Sequence, residues 1–502
     1  MNQSAAAGGV SARTADFLRH EHGLLIDGRW VAGTSGERIE VYDPATGRRI
    51  ASSAAAIAAD VDAAVQSARA AFEGPWSKFT AAERGQILWK LADLLQQNVQ
   101  ELAELEVLDS GMPISVGQFM TAIVAPDYCR YYAGWPTKIQ GMTIPAAPLG
   151  KRPGEALTYT LREPVGVTAA IVPWNVPLLM AVLKLAPAIA TGCTVILKPA
   201  EQTPLTALRL GELCLEAGIP AGVVNVLTGY GESAGAALAS HPGVDKVGFT
   251  GSTETARHIV RAAAGNLKRI TLELGGKSPV IVFPDADLEQ VVAGAARACF
   301  FVQGQNCMAG TRLFLHERVH DRVVDGLVHA AGQLRMGPGL DPQTDFGPLV
   351  SAEQRQRVAS YVEQGRREGG ALVCGGEAPQ RPGYFFDPTI FTGMRSDMTL
   401  AREEIFGPVL CVQKFGDEDL ARIAKEANAT IYGLSGSVWT RDLSIATRMV
   451  RLIDAGQVSV NCHGAIDSPI PFGGNKQSGW GREFGQEGLE PYLKTKAVTV
   501  TW

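Results

Sequence analysis

Cys307 follows an apolar stretch, Phe300-Phe301-Val302, and sits in a polar turn, Gln303-Gly304-Gln305-Asn306-Cys307-Met308-Ala309-Gly310. The pattern predicts a helix over 288–301 and a strand over 311–316. A thiol in such a turn can be exposed and aimed, whereas the commoner packing cysteine belongs inside an apolar run and is inert. Glu273 interrupts another apolar segment, Thr271-Leu272-Glu273-Leu274, which stops at Gly275-Gly276. Desolvation between two leucines would raise a carboxyl pKa toward that of a working base; the plainer alternative is a strand end with its acid in water. Asn175 lies in Ile171-Val172-Pro173-Trp174-Asn175-Val176-Pro177, where flanking prolines stiffen the backbone and aim an amide donor suited to an oxyanion. Thiol nucleophile, carboxylate base and amide donor together describe acyl chemistry through a thioester.

Six motifs, taken in order, carry a resemblance. Trp174-Asn175, Gly251-Ser252-Thr253-Glu254, Glu273-Leu274-Gly275-Gly276-Lys277 and Gly304-Gln305-Asn306-Cys307 are followed by Glu404-Ile405-Phe406-Gly407-Pro408 and Pro471-Phe472-Gly473-Gly474-Asn475-Lys476-Gln477-Ser478-Gly479. From about residue 22 to the C-terminus the chain resembles the aldehyde dehydrogenase superfamily, in its NAD-dependent, non-acylating form. The resemblance implies an α/β fold with two parallel-sheet domains. These are an atypical Rossmann NAD-binding domain over 21–140 and 163–275, and a catalytic domain over 276–478. A small β oligomerisation arm is implied over 141–162 and 479–502, with 1–20 as a disordered tail.

The resemblance also implies roles. Cys307 would be the nucleophile, Glu273 the base that activates water, and Asn175 the oxyanion donor, while Lys184 and Glu483 would move the proton outward. The cofactor surface would comprise Ile171, Val172, Pro173, Trp174, Lys198, Glu201, Gly231, Phe249, Gly251, Ser252, Leu274, Gly275, Glu404 and Phe406. Lys198 and Glu201 would meet the adenine-side ribose, Ser252 the pyrophosphate and Glu404 the nicotinamide-side ribose. A carboxylate at the 2′-hydroxyl would repel an added phosphate, so NAD is expected over NADP. The substrate pocket would draw on Val176, Met180, Phe301, Asn306, Met308 and Phe472, with Leu183 and the loop 461–467. That set is mostly apolar and holds no Arg or Lys, which disfavours semialdehydes of dicarboxylic acids. The absence of an aromatic cage disfavours betaine aldehyde. The loop around Ile466-Asp467 and Gly481-Arg482-Glu483-Phe484-Gly485 resembles that of bacterial phenylacetaldehyde dehydrogenases. An arylacetaldehyde or a medium-chain aliphatic aldehyde is therefore expected. The alternatives are a broad-specificity or CoA-acylating dehydrogenase and, in other classes, a cysteine esterase or an inert binding protein.

The elements that must position these residues are legible in the pattern. The 502 residues, 46% hydrophobic and 19% charged, suffice for large cores. A net charge of -5 leaves no footprint for nucleic acid. The eight cysteines are scattered without a CxxC pair, which predicts reduced thiols in a cytoplasmic setting and no metal site. The N-terminus lacks the apolar core of a signal peptide, and no apolar run reaches the roughly 20 residues of a membrane span. Asp27-Gly28 predicts a hairpin over 24–34, and i, i+3, i+4 spacing predicts helices over 60–72 and 82–108. Apolar strands over 166–172, 194–197, 223–227, 246–250 and 269–274 alternate with helical segments, a βαβ series with ligands at its carboxyl edge. The glycines at 229, 231 and 235 miss the dinucleotide fingerprint by one residue. Alternating segments over 156–162 and 496–502 read as strands, and an apolar strand at a chain end calls for cover by another subunit, hence a homo-oligomer.

Overall fold

The computed structural model describes residues 9–417 and 419–502. Two large sheets dominate. The first runs in the order Arg29–Val31, Leu24–Ile26, Val224–Val226, Thr194–Lys198, Val167–Ile171, Lys246–Thr250, Arg269–Glu273, Gly479–Trp480. Its five inner strands are parallel, and the strands at each end are antiparallel to their neighbours. Numbered along the chain, those five stand in the order 3-2-1-4-5, the doubly wound arrangement. The order reverses between Val167–Ile171 and Lys246–Thr250, so a crevice opens where their carboxyl ends diverge. The expected strands match to within a residue or two. Near-continuous burial along Val167–Ile171, Thr194–Lys198 and Lys246–Thr250 explains why they read as unbroken apolar runs.

The second sheet has the order Ala371–Cys374, Thr389–Thr392, Val409–Phe415, Arg312–His316, Pro279–Val282, Ser435–Trp439, Gln457–Val460, parallel except for its first strand. The short link 274–278 carries the chain from the carboxyl end of one sheet to the amino end of the other. A third sheet pairs Leu493–Thr501 with Ala156–Pro164 over nine residues, with Thr143–Ile144 beyond. The two segments expected in an arm therefore pair with each other within one chain.

Three expectations need correction. The described part of 1–20 is not a tail: Ala12–Arg19 is a helix with Thr14 and Phe17 buried. Residues 1–8 lie outside the described residues. The arm does not begin at 479, because Gly479–Trp480 extends the first sheet alongside Arg269–Glu273. The helix expected over 82–108 is two, Ala81–Gln97 and Val99–Ser110, parted at Asn98, whose side chain donates to the Leu94 carbonyl at 2.8 Å. An amide that bonds locally to the backbone competes with the helix ladder.

Val99–Ser110 runs through the interior, and its four carboxylates, Glu101, Glu104, Glu106 and Asp109, are all buried. Three of them serve the amino ends of other helices. Glu104 accepts from the Ser11 N–H and hydroxyl at the cap of Ala12–Arg19. Glu106 accepts from Leu178 N–H at 3.2 Å, in the first turn of Pro177–Thr191. Asp109 accepts from Leu205 N–H at 2.8 Å, at the start of Leu205–Ala217. Glu101 instead faces Arg209 at 3.2 Å. Helix N-termini present unpaired N–H groups and partial positive charge, which offset part of the cost of burial. At Glu106, raised to about 8, and at Asp109, burial still wins and favours the neutral acid. Among the described residues, no helix is long and apolar enough to cross a membrane. Glu106→Ala should leave the Leu178 N–H unpaired and destabilise the fold by about 1–3 kcal/mol, read as a lower thermal midpoint; an unchanged midpoint would refute the capping role.

Candidate active site

Cys307 is brought to the amino end of the second sheet by an abrupt reversal. The helix Leu288–Phe300 ends, and Val302, Gln303 and Gly304 take left-handed backbone angles, φ 51°, 55° and 70°. Two consecutive non-glycine residues in that region are rare, and the surroundings must hold them there. The holding groups are visible. Gln305 accepts from Val350 N–H through its side chain at 3.0 Å, and Asn306 Oδ1 accepts from Met308 N–H at 3.1 Å. Gly310 N–H donates to the Ala298 carbonyl at 3.0 Å.

Asn175 follows the strand Val167–Ile171 on one side of the crevice, and its Nδ2 donates to the Gln305 carbonyl at 3.0 Å. An amide nitrogen has two hydrogens, so one fixes the side chain against the nucleophile turn and the other stays available. Glu273 ends the strand Arg269–Glu273, buried at 3% exposure, and neither carboxylate oxygen has a hydrogen-bond partner among the described residues. Burial, reinforced by the charge of Glu483, holds its pKa well above the ordinary carboxylate range. The half-buried Cys307 thiol is pushed up to about 12, chiefly by burial and then by Glu404 and Glu273, while the Met308 and Cys307 N–H groups oppose the rise. A thiol and a carboxylate that share one cleft, each with its pKa raised by burial, cannot both ionise cheaply.

Cys307, Glu273 and Asn175 line one cleft of about 420 Å³, together with Pro173, Trp174, Gly251, Ser252, Leu274, Gly275, Glu404 and Phe406. The Trp174 and Phe406 rings meet edge to face at 5.1 Å. Glu404 accepts from Gly276 N–H at 2.9 Å, and its carboxyl is raised to about 7 by burial. Ser252 caps the helix Thr253–Ala263. Lys198 is buried with its ammonium 3.7 Å from Glu201, which is half-exposed at the strand end. Gly231 opens a turn whose Gly235 faces the Lys198 stem, while Ile171, Val172 and Phe249 are buried beneath the crevice. A crevice at the switch point, with an acid at a strand end and a helix N-terminus beside it, fits a dinucleotide.

Lys184 and Glu483 form a buried ion pair that faces Glu273. Lys246, not singled out in the sequence, joins them. It donates to Thr271 Oγ1 at 2.8 Å and is lowered to about 7 by burial and by Lys184.

Phe301, Asn306 and Met308 line a second cavity of about 720 Å³, and Met180 lines the first cleft. Val176 and Phe472 are buried and line neither, although Phe472 packs on Phe484, which does line the larger cavity. Among the residues missed are Phe119, Met120, Ile123, Val124 and Asp127, and a face of Leu288–Phe300 comprising Gln290, Ala293, Gly294 and Arg297. That face has i, i+3, i+4, i+7 spacing and lay open to detection directly upstream of Cys307. Arg297 corrects an expectation: the cavity does contain a cation, its guanidinium 5.7 Å above the Phe301 ring. A guanidinium in the lining can pair with a carboxylate, so the cavity does not disfavour a substrate with a second one.

Residues 30–498 match the aldehyde dehydrogenase family. The chain is 45% identical to the phenylacetaldehyde dehydrogenase of Pseudomonas fluorescens, over 97% of each protein. It is 44% identical to the cytosolic 10-formyltetrahydrofolate dehydrogenase of Xenopus tropicalis over 96% of this chain, but spans only 53% of that relative. Its fold superposes with a TM-score of 0.95 on an NAD+ complex of an aldehyde dehydrogenase from Bacillus cereus, at 45% identity and covering 98% and 99% of the two chains. Gly276→Ala would set a methyl group against the Cys307 carbonyl oxygen; turnover should fall at least about tenfold through lost positioning, with the fold intact by circular dichroism, and wild-type kcat would refute the clamp.

Proposed function

The chain belongs to the aldehyde dehydrogenase family and is an NAD-dependent aldehyde oxidoreductase, and we propose that it converts an arylacetaldehyde or medium-chain aliphatic aldehyde to the free acid through Cys307. The observation that carries this reading is that thiol, carboxylate and amide line a single cleft. Glu273 takes the thiol proton, and the Cys307 sulfur attacks the aldehyde carbon. The oxyanion that forms is held by the second Asn175 hydrogen and the Cys307 backbone N–H. NAD, when bound, supplies the hydride acceptor. Pro173, Trp174, Leu274, Gly275 and Phe406 would shape its nicotinamide end, Glu404 its ribose, Ser252 the phosphates, and Lys198 with Glu201 the adenine-side ribose. Cys307 then carries a thioester, and Glu273 removes a proton from the water that cleaves it. Lys184 and Glu483 pass protons outward from behind the base.

Retention of Glu273 favours water over coenzyme A as the acyl acceptor. The largely apolar larger cavity supports an aromatic or alkyl tail, and the similarity to a phenylacetaldehyde dehydrogenase supports the same class. The edge strand Leu493–Thr501, which ends beside an exposed Trp502, supports cover by a second copy as dimer or tetramer. In the same proposal the chain divides into an NAD-binding domain over 21–140 and 163–275 and a catalytic domain over 276–478, in a reduced, cytoplasmic setting.

NADH release across phenylacetaldehyde, hexanal, acetaldehyde and betaine aldehyde, with and without coenzyme A, tests the substrate class. Phenylacetaldehyde or hexanal should give the highest kcat/KM with free acid as product, and acetaldehyde or betaine aldehyde at the top would sink the proposal. In the same assay Glu201→Gln should raise the NADP-to-NAD ratio, by removing a like-charge clash; an unchanged ratio means that the carboxylate does not read the ribose.

The pH profile tests the base. A raised carboxyl pKa keeps Glu273 protonated, hence inactive as a base, until the pH exceeds that raised value. Turnover should fall as pH drops through a limb well above the ordinary carboxylate range, and Glu273→Gln should lower turnover by about 10²–10⁴ and abolish the limb. An acid limb that persists unchanged in Glu273→Gln excludes the assignment.

A further inference from the structure

His463 reaches the nucleophile turn from the loop that follows Gln457–Val460. Its Nε2 lies 2.8 Å from the Met308 carbonyl oxygen and its Nδ1 2.9 Å from Ser437 Oγ. Trp439 Nε1 donates to the same Ser437 Oγ at 3.2 Å. One proton arrangement satisfies all three contacts. A carbonyl only accepts, so Nε2 carries the hydrogen; an indole N–H only donates, so the Ser437 hydroxyl passes its own hydrogen to Nδ1. The imidazole is neutral and fixed in one tautomer, and burial favours the same neutral form.

The residue held this way is the neighbour of the nucleophile. Met308 N–H bonds Asn306 Oδ1 and also faces the Cys307 sulfur. Asn175 anchors the turn before Cys307 and the Ala298 carbonyl anchors it at Gly310, which leaves the Met308 carbonyl to His463. Packing agrees: a side chain on Gly310 would meet Val280, Ala298 and the His463 ring. The same loop, with His463, lines the larger cavity.

We propose that His463 is a positioning residue for Cys307, which holds the Met308 carbonyl and so sets the N–H groups that face the sulfur, tying the nucleophile to the substrate loop. The inference rests on Cys307 being the nucleophile.

The test compares His463→Phe, which cannot hydrogen-bond, with His463→Gln, whose amide can donate to Met308 and accept from Ser437. The readouts are the rate of Cys307 carbamidomethylation by iodoacetamide, localised by peptide mass, kcat and KM for hexanal with NAD, and the thermal midpoint. His463→Phe should slow alkylation and lower kcat by about tenfold with KM little changed, and His463→Gln should recover most of both. Wild-type alkylation and kcat in His463→Phe would overturn the proposal. So would equal losses in both variants with a lowered midpoint, which would mark mere packing. Failure of the nucleophile reading is seen separately, as oxidation that survives in Cys307→Ala.

Discussion

Everything at this site depends on how closely three stretches of backbone approach one another. The link 274–278, the nucleophile turn and the segment Glu404–Pro408 converge where side chains cannot fit. A Cβ at Gly275 would strike the Glu404 carboxylate, one at Gly276 the Cys307 carbonyl, and one at Gly304 the Gly407 carbonyl. The contact at Gly276 joins the segment that carries the base to the turn that carries the nucleophile. It also fixes Glu404, whose carboxylate accepts from the Gly276 N–H. Glu273, Cys307 and Glu404 are thus registered by backbone, which has far fewer ways to relax than side chains do.

The buried acids divide into two kinds. Glu104, Glu106 and Asp109 on Val99–Ser110 accept from N–H groups at or next to helix starts, and Glu101 faces Arg209. Those partners offset only part of the cost, since burial still raises the Glu106 carboxyl to about 8 and that of Asp109 well above the ordinary carboxylate range. Glu273 is buried just as deeply and has no such partner among the described residues. An unpaired buried carboxyl is costly, and such a group in a cleft is what the proposed role of a base calls for. Lys184, Glu483 and Lys246 stand behind it as a buried set of mixed charge, so the Glu273 carboxyl faces groups of both signs.

The nucleophile stands between two spaces. Cys307 itself lines the cleft under the switch point, while its neighbours Asn306 and Met308 line the larger cavity. In the proposed reaction the aldehyde's tail would occupy one space and the cofactor the other. The larger cavity combines Phe119, Phe301 and Phe484 with Arg297 and Asp127, so its walls are apolar with polar groups among them.

The sequence by itself determined the strands of the first sheet, because strands buried on both faces read as unbroken apolar runs. It also marked Cys307, Glu273 and Asn175, because each breaks a local pattern: a thiol outside its apolar run, an acid between leucines, an amide between prolines. Motifs in register determined the family. Only the tertiary structure decided what depends on contacts between distant segments. The acids of Val99–Ser110 look like a solvated face until the helix ends they serve are in place. Phe119, Met120, Ile123, Val124 and Arg297 reach the larger cavity because helical segments far apart in sequence pack around it; local spacing marks the face that carries Arg297, and packing alone decides what that face meets. His463 and Lys246 likewise gain meaning from partners between 25 and 155 residues away. A pattern along the chain reports which face of an element is apolar; which element covers that face, and which polar atoms it brings, is settled by packing alone.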